Sequence, residues 1–160
     1  MTARQEIAVL LHELDRLSPA GFAIALHLRF TRPAFLFQTY PRRWTRHYDA
    51  AGLVMHDPTV RWGMQNVGAV RWCDLEAIDP HGVLEAARDY GIMNGVAVAC
   101  VAAGSRSIAS FARADRDFDD EEIAEIAGLL SRLHAATAEP AAITEADRRA
   151  LDELSLRLTH

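Results

Sequence analysis

The stretch IAVLLHELDRLSPAGFAIALHLRFTRPAFLFQTYP, residues 7–41, decides the fold because its hydrophobic period changes along its length. Up to Leu17 the apolar residues recur at three- and four-residue steps, which is the spacing of one face of an amphipathic helix. Thr2 is a candidate N-cap for this helix, and Ser18-Pro19 is its predicted end. From Phe22 to Phe30 every second residue is apolar and large, which predicts a strand with one buried face.

A second strand is predicted from Ala34 to Tyr40, after a turn over Thr31-Arg32-Pro33. The short separation makes the two strands an antiparallel hairpin.

The rest of the chain alternates between the helical and the strand pattern. Asp57-Pro58 places a capping residue before a proline at the first helical position, and Asp119 with Glu122 resembles a capping box. The order of elements predicts an antiparallel sheet with helices on its faces, an α+β fold. The predicted elements are helices over Arg42–Ala51, from Asp57 to about Gly68, over Pro80–Tyr90 and from Asp119 to about His134, a loop from Gly68 through Trp72, and strands over Val96–Ala102 and Ser107–Ala112 joined by Ala103–Arg106.

Composition is that of a globular protein with its own hydrophobic core. The chain has 160 residues, 50% of them hydrophobic and 24% charged, with a net charge of −5. This balance excludes a disordered chain and argues against a basic surface for nucleic acid. Apolar runs stay shorter than the roughly 18 residues that cross a bilayer, and two cysteines do not form a disulfide framework. We therefore expect a cytoplasmic protein with reduced thiols that makes no contact with a membrane.

The chain is expected to divide near residue 137. Residues 1–137 form the predicted domain, and the Ala- and Pro-containing stretch after His134 is typical of a linker. Thr144 then begins another helix, with Leu151, Leu154 and Leu158 on its apolar face. This helix either docks on the domain or is the first helix of a second domain.

Motifs for catalysis are lacking. The sequence contains no Gly-rich phosphate loop, no nucleophile elbow and no cluster of His and Cys with metal-ligand spacing. We therefore expect neither an enzyme nor a metal site, and no cofactor.

Aromatic and polar residues between positions 40 and 72 follow a more distinctive pattern. Tyr40, Trp44 and Tyr48 are spaced by four residues, so that their side chains can point into one space. Asp57 and Trp72 follow. Taken alone, these residues are more simply interpreted as core aromatics and a helix cap than as one binding site.

The segment YPRRWTRHYDAAGLVMHDPTV, followed by the RW at residues 71–72, resembles the autoinducer-binding domain of LuxR-type quorum-sensing transcription factors. The resemblance extends from Met1 to about Ala136, and ITEADRRALDELS resembles the start of the family's C-terminal helix-turn-helix domain. It implies an α/β/α sandwich with a central antiparallel sheet of about five strands. It also implies a domain that binds an N-acyl-homoserine lactone and controls folding, dimerisation and DNA binding, the last through a C-terminal domain missing from this chain.

By this resemblance, the Trp44 indole N–H donates to the lactone carbonyl and the Asp57 carboxylate accepts the ligand's amide N–H. Tyr40 and Ser110 donate to the amide carbonyl. Trp72 walls the lactone ring, and Tyr48 packs along the ligand. These roles use the donor-only indole and the acceptor-only carboxylate in the one way that their chemistry allows.

Alternation along the second strand predicts the apolar part of the same site. Ala34 and Leu36 share a strand face with Tyr40, so they are expected to face the ligand, while Phe35 and Phe37 pack against the opposite helical layer. The further apolar candidates lie on the Asp57 helix and the Ser110 strand: Thr59, Val60 and Ile108.

Two rival functions remain open on sequence alone. One is a GAF- or PAS-like sensor or interaction domain whose pocket is filled by side chains. The other is a small acyltransferase-like enzyme, which would require a cofactor site that no motif indicates. We also expect a homodimer, formed through a second apolar strip on the Asp119 helix that contains Ala127, Leu130 and His134.

Overall fold

The computed structural model describes residues 1–30 and 32–160. The sequence-predicted turn includes Thr31, which lies outside the described residues, and Arg32 and Pro33 already belong to a strand. Short 3₁₀ helices occupy Leu53–His56, Trp72–Ile78 and Pro140–Ala142. The helices and strands run in the order α1 (Ala3–Leu17), β1 (Gly21–Arg29), β2 (Arg32–Gln38), α2 (Arg42–Ala50), α3 (Pro58–Gln65), β3 (Gly68–Arg71), α4 (Val83–Arg88), β4 (Asn94–Ala102), β5 (Ser105–Arg113), α5 (Asp120–Ala136) and α6 (Glu145–Leu158).

The five strands form one antiparallel sheet in the order β2-β1-β5-β4-β3. The turn between β4 and β5 consists of Ala103 and Gly104, both with positive φ (51° and 73°). Two left-handed residues match the twist of a tight hairpin, so this turn is shorter than the sequence-predicted loop over residues 103–106.

Helices cover both faces of the sheet, which confirms the predicted α/β/α sandwich. One face packs against α1, α5 and α6 around the larger core cluster. The other face packs a smaller, aromatic-rich cluster against α2, α4 and the 3₁₀ helix at residues 72–78. Alternation in β1 explains the difference in size, because Phe22, Ile24 and Leu26 fill the first face while Ala23 and Ala25 leave room on the second.

The helix starts agree with the sequence signals. Thr2 caps α1 and Asp119 caps α5, each in a reciprocal capping box. Asp57 caps α3 with Pro58 at the first helical position.

The segment after α3 differs from the prediction. The helix ends at Gln65, because Asn66 has an extended backbone and the Arg106 guanidinium donates to the carbonyl oxygens of Gly63 and Asn66 (2.7 and 2.6 Å). Residues 68–71 are not a loop but the edge strand β3, paired with β4. Likewise α4 begins at Val83 rather than Pro80, and the Asp79 carboxylate accepts from the Val83 and Leu84 N–H groups.

Strand alternation in the β1–β2 hairpin reverses at His27, a residue with φ 55°. The His27 side chain lies on the face covered by α1, α5 and α6. Leu28 lies on the opposite face together with Pro33, its partner across the hairpin. The prediction that Ala34 faces the ligand is therefore wrong. Ala34 packs against the α1–α5–α6 cluster, and its carbonyl oxygen accepts from Arg148 at 2.9 Å.

Helix α6 docks on the domain. Leu151 and Leu154 are buried in the larger cluster. The Arg148 guanidinium lies over the Phe35 ring, 4.0 Å from its centroid. The backbone N–H of His160 donates to the Thr39 carbonyl oxygen at 3.0 Å, so α6 and the residues after it lie along the β2 segment.

The residues predicted to form the dimer strip on α5 are wrong. Leu130 is fully buried and His134 is 3% exposed, both inside this chain. An exposed stripe along α5 consists instead of small residues: Ala124, Gly128, Ser131 and Ala135. In the described part of the chain, every helix is too short or too polar to cross a membrane.

Candidate functional site

A cavity of about 550 Å³ lies between the sheet and the α2–α3–α4 side of the molecule. Every site residue predicted from the sequence except Ala34 lines it: Tyr40, Trp44, Tyr48, Asp57, Thr59, Trp72, Ser110, Leu36, Val60 and Ile108. The GAF- or PAS-like alternative required a pocket filled by side chains, and this cavity is not filled. Its volume falls within the range of small-molecule sites.

Asp57 holds the polar end of the cavity. Its Oδ1 accepts from the backbone N–H (2.9 Å) and hydroxyl (2.7 Å) of Thr59, and its Oδ2 accepts from the Tyr48 hydroxyl at 2.8 Å. Oδ1 accepts two of these bonds and Oδ2 accepts one, and the Val60 backbone N–H also lies near the carboxylate. Asp57 is thus a helix cap whose Oδ2 is the oxygen left for a further donor.

Burial raises the pKa of Asp57 above its ordinary value, and the hydrogen bonds from Thr59 and Tyr48 offset part of this rise. Ligand donors that bond to Asp57 would favour its ionised form.

Tyr48 has a more specific position than the sequence indicated. Its ring packs beside Trp44, with centroids 5.8 Å apart, and its hydroxyl fixes the orientation of Asp57. Burial, followed by the Asp57 charge, raises the pKa of Tyr48 far above its ordinary value. The phenol therefore stays protonated and serves as a donor.

Tyr40 lines the polar end of the cavity beside Ser110. Its hydroxyl is buried and makes no hydrogen bond of full geometry within residues 1–30 and 32–160, and Ser110 is its polar neighbour. Burial raises the pKa of Tyr40 well above its usual range, and the Ser110 hydroxyl offsets part of this rise, so the phenol keeps its proton.

Trp72 and Ser110 form a pair that sequence reasoning missed. The Trp72 indole N–H donates to the Ser110 Oγ at 3.0 Å, so the Ser110 hydroxyl acts as the donor toward its other neighbours, Tyr40 among them. The Trp72 ring lies directly on Gly95, where an added Cβ would come within 2.1 Å of it. A glycine inside a strand is a known sign of such close approach, and this was the available signal.

Trp44 is 5% exposed and contributes another cavity wall. Its ring packs against Tyr48 and Tyr90, with centroids 5.8 and 5.4 Å apart.

Away from these polar groups the lining of the cavity is largely apolar. Some of the apolar lining side chains are also highly exposed: Phe30 (97%), Met55 (77%) and Met64 (45%). The cavity therefore fits an amphiphile whose polar head lies near Asp57. Within the described residues no three His, Cys, Asp or Glu side chains are grouped as a metal site requires.

This fold and this site define a domain that senses a small molecule. The autoinducer binding domain family matches residues 9–138, so the chain belongs to this family, the ligand-sensing domain of LuxR-type quorum-sensing transcriptional regulators.

Curated relatives include the transcriptional activator protein SolR of Ralstonia nicotianae, 35% identical over 77 residues that make up 48% of this chain and 33% of SolR. The transcriptional activator protein LuxR of Aliivibrio fischeri is 26% identical over 87 residues, 51% of this chain and 35% of LuxR. The matches thus span little more than a third of these regulators.

Solved structures show the same fold. Escherichia coli SdiA aligns with a TM-score of 0.65 at 23% identity, over 88% of this chain and 63% of SdiA. SdiA has also been solved in complex with octanoyl-rac-glycerol, and that structure aligns with a TM-score of 0.64 at 22% identity over 97% of this chain and 63% of the SdiA chain. CepR2 from Burkholderia cenocepacia, an N-acylhomoserine lactone dependent LuxR family factor, aligns with a TM-score of 0.55 at 14% identity, over 86% of this chain and 95% of CepR2.

Proposed function

We propose that the cavity binds an N-acyl-homoserine lactone, or a closely related signal with a polar head and an acyl tail. The ligand is bound and released unchanged. The observation that carries the proposal is the cavity of about 550 Å³, with the buried Asp57 carboxylate and the Tyr40 and Ser110 hydroxyls gathered on an otherwise apolar lining.

The polar groups of such a ligand match those that line the site. The Asp57 Oδ2 is the oxygen left for an amide N–H. Tyr40 and Ser110 each offer a hydroxyl proton to the amide carbonyl, and the Trp44 indole N–H is assigned to the lactone carbonyl. Trp72 and Tyr48 hold Ser110 and Asp57 in place for these contacts. Support also comes from the solved relatives, one of which holds octanoyl-rac-glycerol and another of which is N-acylhomoserine lactone dependent.

The proposal extends to the whole regulator. Ligand binding stabilises the folded domain by mass action and favours a homodimer. DNA is bound in the cytoplasm through a C-terminal helix-turn-helix domain outside this chain. Residues 1–137 form the sensing domain in this scheme, and residues 138–160 connect it to the DNA-binding domain.

The test is Trp44→Phe, which keeps most of the apolar bulk and deletes the indole donor. We expect affinity for N-octanoyl-homoserine lactone to fall by about one to two decades, because a buried carbonyl loses its partner. Calorimetric titration measures the change. A matched control is Trp62→Phe, since Trp62 packs in the same aromatic-rich cluster but is not on the cavity wall.

The wild-type protein and Trp44→Phe are then both titrated with the reduced, carbonyl-free analogue of the lactone. Trp44→Phe should weaken the lactone and leave the analogue nearly unchanged. Equal loss for both ligands would contradict the assigned donor, and failure of the wild-type protein to bind any acyl-homoserine lactone would contradict the proposed function.

A further inference from the structure

The far wall of the cavity is built by a reversal of strand alternation at His27. Ala23 pairs with Ser110 and Gln38 at the polar end, and Ala25 pairs with Ile108 and Leu36 further along. Leu28 lies five positions after Ala23 in the strand, which places the two residues about 17 Å apart at roughly 3.3 Å per residue. Leu28 and its cross-strand partner Pro33 therefore line the end of the cavity that is remote from Asp57.

Regular alternation would give a different wall. Ala23 and Ala25 face the cavity, so position 27 would face it too and Leu28 would point to the helices. The positive φ of His27 (55°) exchanges these two positions. Histidine is among the non-glycine residues that tolerate this conformation better than most, whereas β-branched residues do not.

A buried polar network surrounds His27 on the α1–α5–α6 face, and the hydrogen bond of the His27 backbone does not depend on the imidazole. The His27 Nε2–H donates to the His134 carbonyl oxygen at 2.9 Å, which fixes the neutral tautomer and leaves Nδ1 to accept from the Ser105 hydroxyl at 2.7 Å. The His27 backbone N–H donates to Ser107 Oγ at 3.0 Å, and the Ser107 hydroxyl donates to His134 Nδ1 at 2.7 Å. His134 Nε2–H in turn faces the Ala102 carbonyl oxygen at 3.3 Å.

We infer that the positive-φ backbone of His27 sets the acyl-tail length that the cavity accepts, with Leu28 and Pro33 as the residues that meet the end of the tail. The inference rests on the proposed function. His27 touches no ligand in this scheme. It is a positioning residue, and Leu28 determines specificity.

The first test fills the far end directly. Leu28→Phe leaves the His27 backbone intact and shortens the cavity. Each buried methylene contributes about fourfold in affinity, so we expect affinity for N-dodecanoyl-homoserine lactone to fall at least about tenfold. Affinity for N-butanoyl-homoserine lactone should stay within about twofold.

The second test separates the backbone of His27 from its ring. His27→Asn and His27→Val both remove the imidazole, but asparagine tolerates positive φ and valine does not. We expect His27→Asn to keep the wild-type ratio of dodecanoyl to butanoyl affinity within about threefold, and His27→Val to change it by about tenfold or more. Leu28→Phe provides the answer where His27→Val fails to fold.

The outcomes separate the assignment of tail length from the proposed function. If the wild-type protein binds lactones but Leu28→Phe weakens both tail lengths equally, or the two His27 variants share one profile, the length assignment is wrong and the proposed function stands. If the wild-type protein binds no lactone, both are wrong.

Discussion

Asp57 combines two roles that the sequence could not separate. It caps α3 through the Thr59 N–H, and it presents a buried carboxylate to the cavity with Tyr48 and Thr59 as partners. The Asp57-Pro58 pair predicted the cap, and the resemblance to the LuxR-type family made Asp57 a candidate for ligand binding. The pairing of Trp72 with Ser110 was not predictable, since it joins residues 38 positions apart.

Asp57→Asn tests which role matters for binding. Asparagine caps a helix about as well as aspartate, so we expect the free energy of unfolding without ligand to change by less than about 1 kcal/mol. Affinity for N-octanoyl-homoserine lactone should fall by about one to two decades, because the charged acceptor contributes roughly 1.5–3 kcal/mol. Asp119→Asn makes the same change at the exposed cap of α5 and should leave affinity unchanged. If Asp57→Asn lowers stability alone, Asp57 is only a cap.

The raised pKa of Asp57 predicts that ligand binding releases protons. In the free folded domain this group holds its proton at pH values where the unfolded chain has lost it, so its contribution to stability grows as pH falls through that window. A ligand N–H donor favours the carboxylate, so affinity should rise with pH between the ordinary and the raised pKa and level off above. Tyr40 and Tyr48 face the same space but stay protonated there.

Calorimetric titrations in two buffers with different ionisation enthalpies measure this proton release. Asp57→Asn serves as the control and should abolish it. Affinity that is independent of pH in the wild-type protein would show that Asp57 does not contact the ligand's donor.

At the scale of elements, local signals were predictable and non-local ones were not. Thr2, Asp119 and Thr144 cap helices as their sequence contexts indicated. The edge strand β3 was missed because four residues, GAVR, carry no clear alternation and owe their conformation to pairing with β4.

The misplacement of Ala34 has the same origin. His27 reverses the strand through partners that lie far away in sequence, such as the His134 carbonyl oxygen, 107 positions distant. The alternation of residues within the strand gives no information about that contact. The sequence therefore named polar residues that the fold brings to one cavity, and it did not indicate that Leu28 and Pro33 line that cavity.

Gly95→Ala tests how β4 supports the site. The added Cβ would lie within 2.1 Å of the Trp72 ring, so the indole must move and its bond to Ser110 must break. We expect stability to fall by about 1–3 kcal/mol, as is typical of overpacked cores, and lactone affinity to fall at least about tenfold. Gly128→Ala is the matched control, because nothing lies within 4 Å of that Cβ and alanine favours a helix. Unchanged affinity in Gly95→Ala would mean that Trp72 is not part of the binding wall.

On the scale of the whole molecule, β2 lies between the cavity and the layer formed by α1, α5 and α6. One face of this edge strand carries Leu36 and Gln38 on the cavity wall. The other carries Phe35, which lies under Arg148 of α6. The cavity and α6 thus lie on opposite faces of the same strand.

The proposed homodimer is the remaining property of the whole molecule. We expect a second copy to approach along the exposed stripe of small residues on α5, which includes Gly128, through a twofold interface. Gly128→Glu would place two carboxylates opposite each other across that interface and should convert a dimer to a monomer, since like charges in contact cost several kcal/mol. Sedimentation velocity at micromolar concentration, with and without lactone, measures the change. Ala146→Glu adds the same charge at an exposed position of α6 and should leave the dimer intact. A monomeric wild-type protein under both conditions would contradict dimerisation by this domain, and a dimer that survives Gly128→Glu would place the interface elsewhere.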